Sequence, residues 1–115
     1  MSEVKIYYNP SCSKCRQTMA LLEENKIKPE VVEYLQNPPS RDDLANIVGL
    51  GIPAKELIRT GEDDWKSLGI DINTASDDEL IEAMISTPKV IQRPIVIANG
   101  KATLGRPPEK VLDIL

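Results

Sequence analysis

Two cysteines stand three residues apart in Asn9-Pro10-Ser11-Cys12-Ser13-Lys14-Cys15-Arg16, and the chain holds no others. Just upstream, the alternating run Val4-Lys5-Ile6-Tyr7-Tyr8 reads as a strand, which Asn9-Pro10 ends. Cys12 therefore falls where a strand hands over to a helix. The first free N–H groups of a helix point at a sulfur placed there, and the positive end of the dipole favours the thiolate. The thiolate is the nucleophile, and such settings lower a cysteine pKa from about 8.5 to between roughly 3.5 and 7.5. The bland alternative is a small buried hydrophobe. A loop position off the apolar face speaks for a reactive Cys12. Cys15 lies one turn further and shares helical periodicity with Met19 and Leu22. It reads equally as the resolving thiol of a Cys-X-X-Cys motif and as a core-facing residue of the first helix.

Three arginines extend the constellation. Arg59 follows Leu57-Ile58 at a helix end, Arg93 precedes Pro94, and Arg106 sits in Gly105-Arg106-Pro107. A single arginine is usually a solvated surface charge. Two of these, however, directly precede proline, in restricted backbone that fixes where the side chain starts. Their forked donors suit a tetrahedral oxyanion better than a lysine point charge does. Converging guanidinium groups would also lower a nearby thiol pKa further. Lys14 and Arg16 are adequately explained as helix surface.

The elements that must position these groups follow from pattern. A helix runs from the cysteines to about Lys26, before Pro29, and Glu30-Val31-Val32-Glu33-Tyr34-Leu35 reads as a second strand. Strand, helix and strand of these lengths make a right-handed βαβ unit with parallel strands. Residues from about 40 to 88 change to short helices. Ser40 with Asp43 and Ser76 with Glu79 supply N-caps, one helix runs near Arg41 to Val48, another follows Pro53 with Leu57 and Ile58 inward, and Gly69 closes a helix over 63–68. Then Ile95-Val96-Ile97-Ala98-Asn99-Gly100-Lys101-Ala102-Thr103-Leu104 carries Asn-Gly between apolar runs, a hairpin pattern. Pro107 or Pro108 opens a final helix to Leu115. The expectation is one α/β domain over residues 1–115, a thioredoxin-like four-stranded mixed sheet flanked by helices. Its helical insertion separates the βαβ unit from the C-terminal hairpin. In that arrangement Pro94 is the cis proline beside the active sulfur, and the residues before the third strand and after the fourth lie near the first helix N-terminus.

Composition bounds the alternatives. In 115 residues, 41% hydrophobic and 28% charged, there is room for one modest core but no membrane span. A formal net charge of −4 speaks against non-specific nucleic-acid binding. Two cysteines without histidine leave a zinc ion short of ligands. Met-Ser-Glu-Val-Lys lacks the apolar segment of a secretory signal, so the expectation is a reducing cytoplasm in which the thiols act chemically.

Together these residues resemble the glutaredoxin-dependent arsenate reductase family along essentially the whole chain. The likeness is carried by Tyr-Tyr-Asn-Pro-Ser-Cys (7–12), Tyr-Leu-Gln-Asn-Pro-Pro-Ser-Arg-Asp-Asp-Leu (34–44), Leu-Ile-Arg-Thr (57–60), Gln-Arg-Pro-Ile-Val (92–96) and Gly-Arg-Pro-Pro-Glu (105–109). The resemblance implies a catalytic Cys12 and oxyanion-binding Arg59, Arg93 and Arg106. It also implies arsenate as substrate, glutathione as co-substrate, glutaredoxin as electron donor and no bound cofactor or metal. Two departures stand out. Tyr8 occupies a place where some members carry histidine, and Cys15 a place where better-known members carry a residue other than cysteine. An internal disulfide opened by thioredoxin is therefore an alternative. So is a redox-sensing regulator of the Spx type, which shares the fold and an N-terminal Cys-X-X-Cys and binds RNA polymerase. A plain dithiol oxidoreductase is a third reading. The phosphatase-like arsenate reductases need Cys-X5-Arg, and the sixth residue after Cys12 is Thr18.

Overall fold

The computed structural model describes residues 4–115. Two compact units divide them: the segment up to Asn37 together with Arg93–Leu115, and Pro38–Gln92.

The first unit is built on a four-stranded sheet of order β2-β1-β3-β4. Strand β1 (Lys5–Tyr8) leads through helix α1 (Ser13–Glu24) to β2 (Glu30–Glu33), and the two strands pair in parallel with Ile6 opposite Val31. Strand β3 (Ile95–Ala98) runs antiparallel to β1, placing Val96 opposite Ile6, and β4 (Lys101–Leu104) returns beside β3. The hairpin turn is Asn99-Gly100, both with positive φ (54° and 74°), as a tight turn matching strand twist requires. Asn99 also fastens the C-terminus, its Nδ2 donating to the Ile114 carbonyl at 2.8 Å.

Val4, Ile6, Leu22, Val96, Ala98, Val111 and Ile114 form the core of this unit, so α1 and the C-terminal segment both bury apolar side chains against the sheet strands. Truncating a side chain as enclosed as Leu22 to alanine costs about 2–5 kcal/mol. The final segment, Pro108–Ile114, is 3-10 rather than α-helical. It is short, and its buried residues Pro108, Val111 and Ile114 recur at intervals of three, the period of the tighter helix. Strand β2 is also shorter than its sequence suggests. The N–H groups of Gln36 and Asn37 both turn back to the Glu33 carbonyl at 2.9 Å, taking Tyr34 and Leu35 out of the ladder.

The second unit is helical: α2 (Arg41–Gly49), α3 (Asp63–Ser67) and α4 (Asp77–Ser86), with 3-10 turns at Ala54–Leu57 and Pro88–Val90. Ser40 and Ser76 each close a capping box, with Asp43 and Glu79. Each such cap is worth about 1 kcal/mol. Leu44, Ile47, Leu57, Trp65, Leu80, Met84 and Val90 fill its interior. Arg41 bridges α2 to α4 through ion pairs with Asp78 (3.6 Å) and Glu82. Beyond the first 3-10 turn, Ile58 leaves helical geometry and forms a β-bridge with Ile91, flanked by Arg59 N–H to Val90 carbonyl (2.7 Å) and Gln92 N–H to Leu57 carbonyl (2.6 Å). Among the described residues no helix is long and apolar enough to cross a membrane.

Candidate active site

The loop after β1 is shaped by Asn9. Its side-chain oxygen accepts the Ser11 N–H at 3.0 Å, and its carbonyl accepts the Cys12 N–H at 3.0 Å. That Asx turn brings Cys12 to the N-cap of α1 in extended conformation (φ −94°, ψ 122°), with its carbonyl taking the Arg16 N–H at 3.1 Å. Arg16 braces the same loop, Nη1 donating to the Pro10 carbonyl at 2.8 Å. The first turn of α1 carries no acidic residue, whereas those of α2 and α4 carry two and three. The positive end of α1 is thus left for a thiolate or an external anion rather than neutralised by its own carboxylates.

Cys12 is partly exposed and Cys15 fully buried, both as free thiols. The Cys12 pKa lies below the ordinary thiol value. Partial burial opposes the charge, but donation from the Cys15 N–H and thiol, the Arg93 side chain and the Lys14 N–H outweighs it. The two N–H groups act at a distance, for no full capping hydrogen bond closes on the sulfur. Burial pushes the Cys15 thiol up to about 12, with the Asn9 N–H working against it and the Cys12 charge adding to it. That Asn9 N–H stands 3.5 Å from Cys15 Sγ. One sulfur is biased toward the thiolate while its neighbour is held protonated.

The structure brings Arg93 and Arg106 to this sulfur. Arg106 Nη2 approaches Cys12 Sγ to 3.8 Å, and its Nε donates to the Arg93 carbonyl at 2.7 Å. Both Arg93-Pro94 and Arg106-Pro107 are cis peptides, the first as expected from the sequence and the second in addition to it. Gly105 makes the approach feasible. Its N–H donates to the Pro94 carbonyl at 3.0 Å, and a Cβ there would stand 2.5 Å from Thr18 Oγ1 and 2.7 Å from Pro94 Cγ. Arg59 belongs to the helical unit, where its Nη1 pairs with Glu62 Oε2 at 3.2 Å.

Tyr34 is the residue that sequence reasoning missed. It is fully buried, and its hydroxyl closes no full hydrogen bond among the described residues. Burial raises its pKa, and the nearby Arg93 charge opposes that shift. Its position just past β2 made it look like one more strand residue. The available clue was an aromatic with a polar tip beside Leu35, in a chain with three tyrosines and no phenylalanine.

Residues 7–114 match the ArsC family. An arsenate reductase of Neisseria meningitidis is 44% identical over 117 residues, covering the whole of both chains. The uncharacterized protein YfgD of Escherichia coli K12 is 50% identical over 98% of this chain and 97% of its own. The structure of an arsenate reductase from Vibrio cholerae superposes with a TM-score of 0.93 at 46% identity, covering 98% of each chain.

Proposed function

The chain belongs to the ArsC family, and from that premise we propose that it reduces arsenate to arsenite with Cys12 as the nucleophile. The observation that carries this reading is the Cys12 sulfur at an acid-free helix N-terminus with an arginine nitrogen 3.8 Å away. An oxyanion fits there because backbone N–H groups and planar guanidinium donors converge on one small volume.

Arsenate would bind against Arg93 and Arg106 in the sheet unit. The resemblance assigns it Arg59 as well. The Cys12 thiolate attacks arsenic, and one arsenate oxygen leaves as water with two protons. A second thiol then attacks the Cys12 sulfur. As the sulfur–arsenic bond breaks, its electron pair stays on arsenic, which falls from the +5 to the +3 state and departs as arsenite. By the same resemblance, glutathione with glutaredoxin is the external electron donor, in a reducing cytoplasm. The likeness over full length to proteins named arsenate reductases favours turnover over a purely regulatory role.

The test is arsenate-dependent NADPH oxidation by the purified protein, run with glutathione plus glutaredoxin and separately with thioredoxin and its reductase. Oxidation that requires arsenate in either system supports the reading, and the faster system identifies the donor. Failure of both overturns it.

A further inference from the structure

We propose that Cys15 is the second thiol: it attacks Cys12 sulfur in the arsenic adduct, so that arsenite leaves before any external thiol acts. This rests on the arsenate reading above and replaces glutathione, at that one step, by a group within the chain.

Three observations carry it. Cys15 is fully buried one turn along α1 from Cys12, and both sulfurs are free. Helical geometry sets α-carbons three apart at about 5 Å, inside the range of about 4.4–6.8 Å that a disulfide spans. The Cys15 thiol is also among the groups that lower the Cys12 pKa, an influence that only a neighbouring side chain exerts. No external thiol needs to enter a site already filled by the arsenic adduct and its arginines.

The resting protonation state of Cys15 is consistent with this order of events. Its thiol is held protonated by burial and by the Cys12 charge. That charge disappears when Cys12 sulfur bonds to arsenic, which removes part of what holds the proton. The Asn9 N–H, 3.5 Å from Cys15 Sγ, then stabilises the negative charge that develops. The step balances as written. The Cys15 proton passes to an arsenic-bound oxygen, the S–S bond forms, and the S–As bond breaks with its electron pair left on arsenic. The two sulfurs are oxidised by one electron each while arsenic gains two. An external thiol, dithiol or glutathione, then reopens the Cys12–Cys15 disulfide by exchange.

The experiment uses the fully reduced chain, freed of all small thiols, mixed with arsenate in the absence of oxygen. Wild type is expected to release one arsenite per chain and lose the mass of two hydrogens, with a Cys12–Cys15 disulfide found on peptide mapping. Cys15→Ala is expected to hold arsenic as a covalent adduct and to release arsenite only after glutathione is added. A residue that merely tuned Cys12 would change only the rate of adduct formation, and wild type would then hold the adduct as the variant does. Arsenite from wild type only upon glutathione addition, as from Cys15→Ala, overturns the role of Cys15 and leaves the arsenate reading standing. Absence of arsenite from both proteins, even with glutathione and glutaredoxin, overturns the arsenate reading itself. Equilibration of wild type in a glutathione redox buffer gives a second, arsenate-free check. A Cys12–Cys15 disulfide is expected there, and a stable Cys12–glutathione adduct instead would contradict the proposal.

Discussion

Arg106 donates through Nε to the backbone carbonyl of Arg93 at 2.7 Å while its Nη2 faces Cys12 Sγ at 3.8 Å. One guanidinium thus spans the two functions, fixing its neighbour and facing the sulfur. Only a planar fork can do both, because a lysine has a single nitrogen to offer. Arg106→Lys is therefore expected to behave like Arg106→Ala rather than like wild type. Loss of a charge-assisted hydrogen bond is worth about 1.5–3 kcal/mol, which corresponds to a KM for arsenate raised about 10-fold or more. Steady-state kinetics on the three proteins decides it, and a wild-type KM in Arg106→Lys would refute the fork argument.

The lowered pKa of Cys12 has a definite sign in pH dependence. An acid whose folded pKa is depressed keeps its thiolate to lower pH, so alkylation of Cys12 should fall off only as pH drops through a value below that of an ordinary thiol. Cys15, pushed up to about 12 and buried, should stay unmodified across that range. Arg93 is among the groups that lower the Cys12 pKa. Arg93→Ala should therefore move the inflection upward in pH. Iodoacetamide rates followed against pH by mass spectrometry give both results.

Gly105 has no room for a side chain. A Cβ at that position meets Thr18 Oγ1 and Pro94 Cγ inside contact distance, and neither belongs to a long flexible side chain that could swing away. Gly105→Ala is expected to cost about 1–3 kcal/mol through overpacking, read as a lowered midpoint in denaturant. Because the strain falls between Pro94 and Arg106, Cys12 alkylation at neutral pH should slow as well. An alanine variant as stable and as reactive as wild type would show that the close approach is not needed.

Tyr34 buries a hydroxyl that, among the described residues, closes no full hydrogen bond, with the Arg93 and Asn9 side chains its polar neighbours. Desolvating such a group without compensation costs about 1–3 kcal/mol. Tyr34→Phe should therefore leave the fold as stable as wild type or raise its stability by about 1 kcal/mol. A substantial loss of stability on urea unfolding would mean that the hydroxyl is satisfied in solution.

The parts of this structure legible from sequence were those specified by neighbouring residues. The caps at Ser40 and Ser76, the Asn99-Gly100 turn and the placement of Cys12 at a helix start each depend on a handful of adjacent side chains. The strand order followed because a βαβ unit and a hairpin leave few ways to share one sheet. What stayed hidden were contacts between residues far apart in the chain. Nothing in the spacing of Gly105, Thr18 and Pro94 announces that they touch, and Tyr34 shows its burial only once the chain turns at Glu33. The 3-10 form of Pro108–Ile114 was hidden for a related reason. Apolar spacing of three also fits one face of an α-helix, and tertiary packing chooses between them. For Cys15 the sequence left two roles equal. Its complete burial satisfies the core reading, and its influence on the Cys12 pKa gives it a part in the site as well.

The central claim is that the Cys12 sulfur forms the bond to arsenic. It is tested most directly by measuring arsenite formed from arsenate by wild type and by Cys12→Ser, with glutathione and glutaredoxin supplied to both. The account predicts arsenite from wild type and none above background from Cys12→Ser. Arsenite produced by Cys12→Ser at a rate comparable to wild type would contradict it.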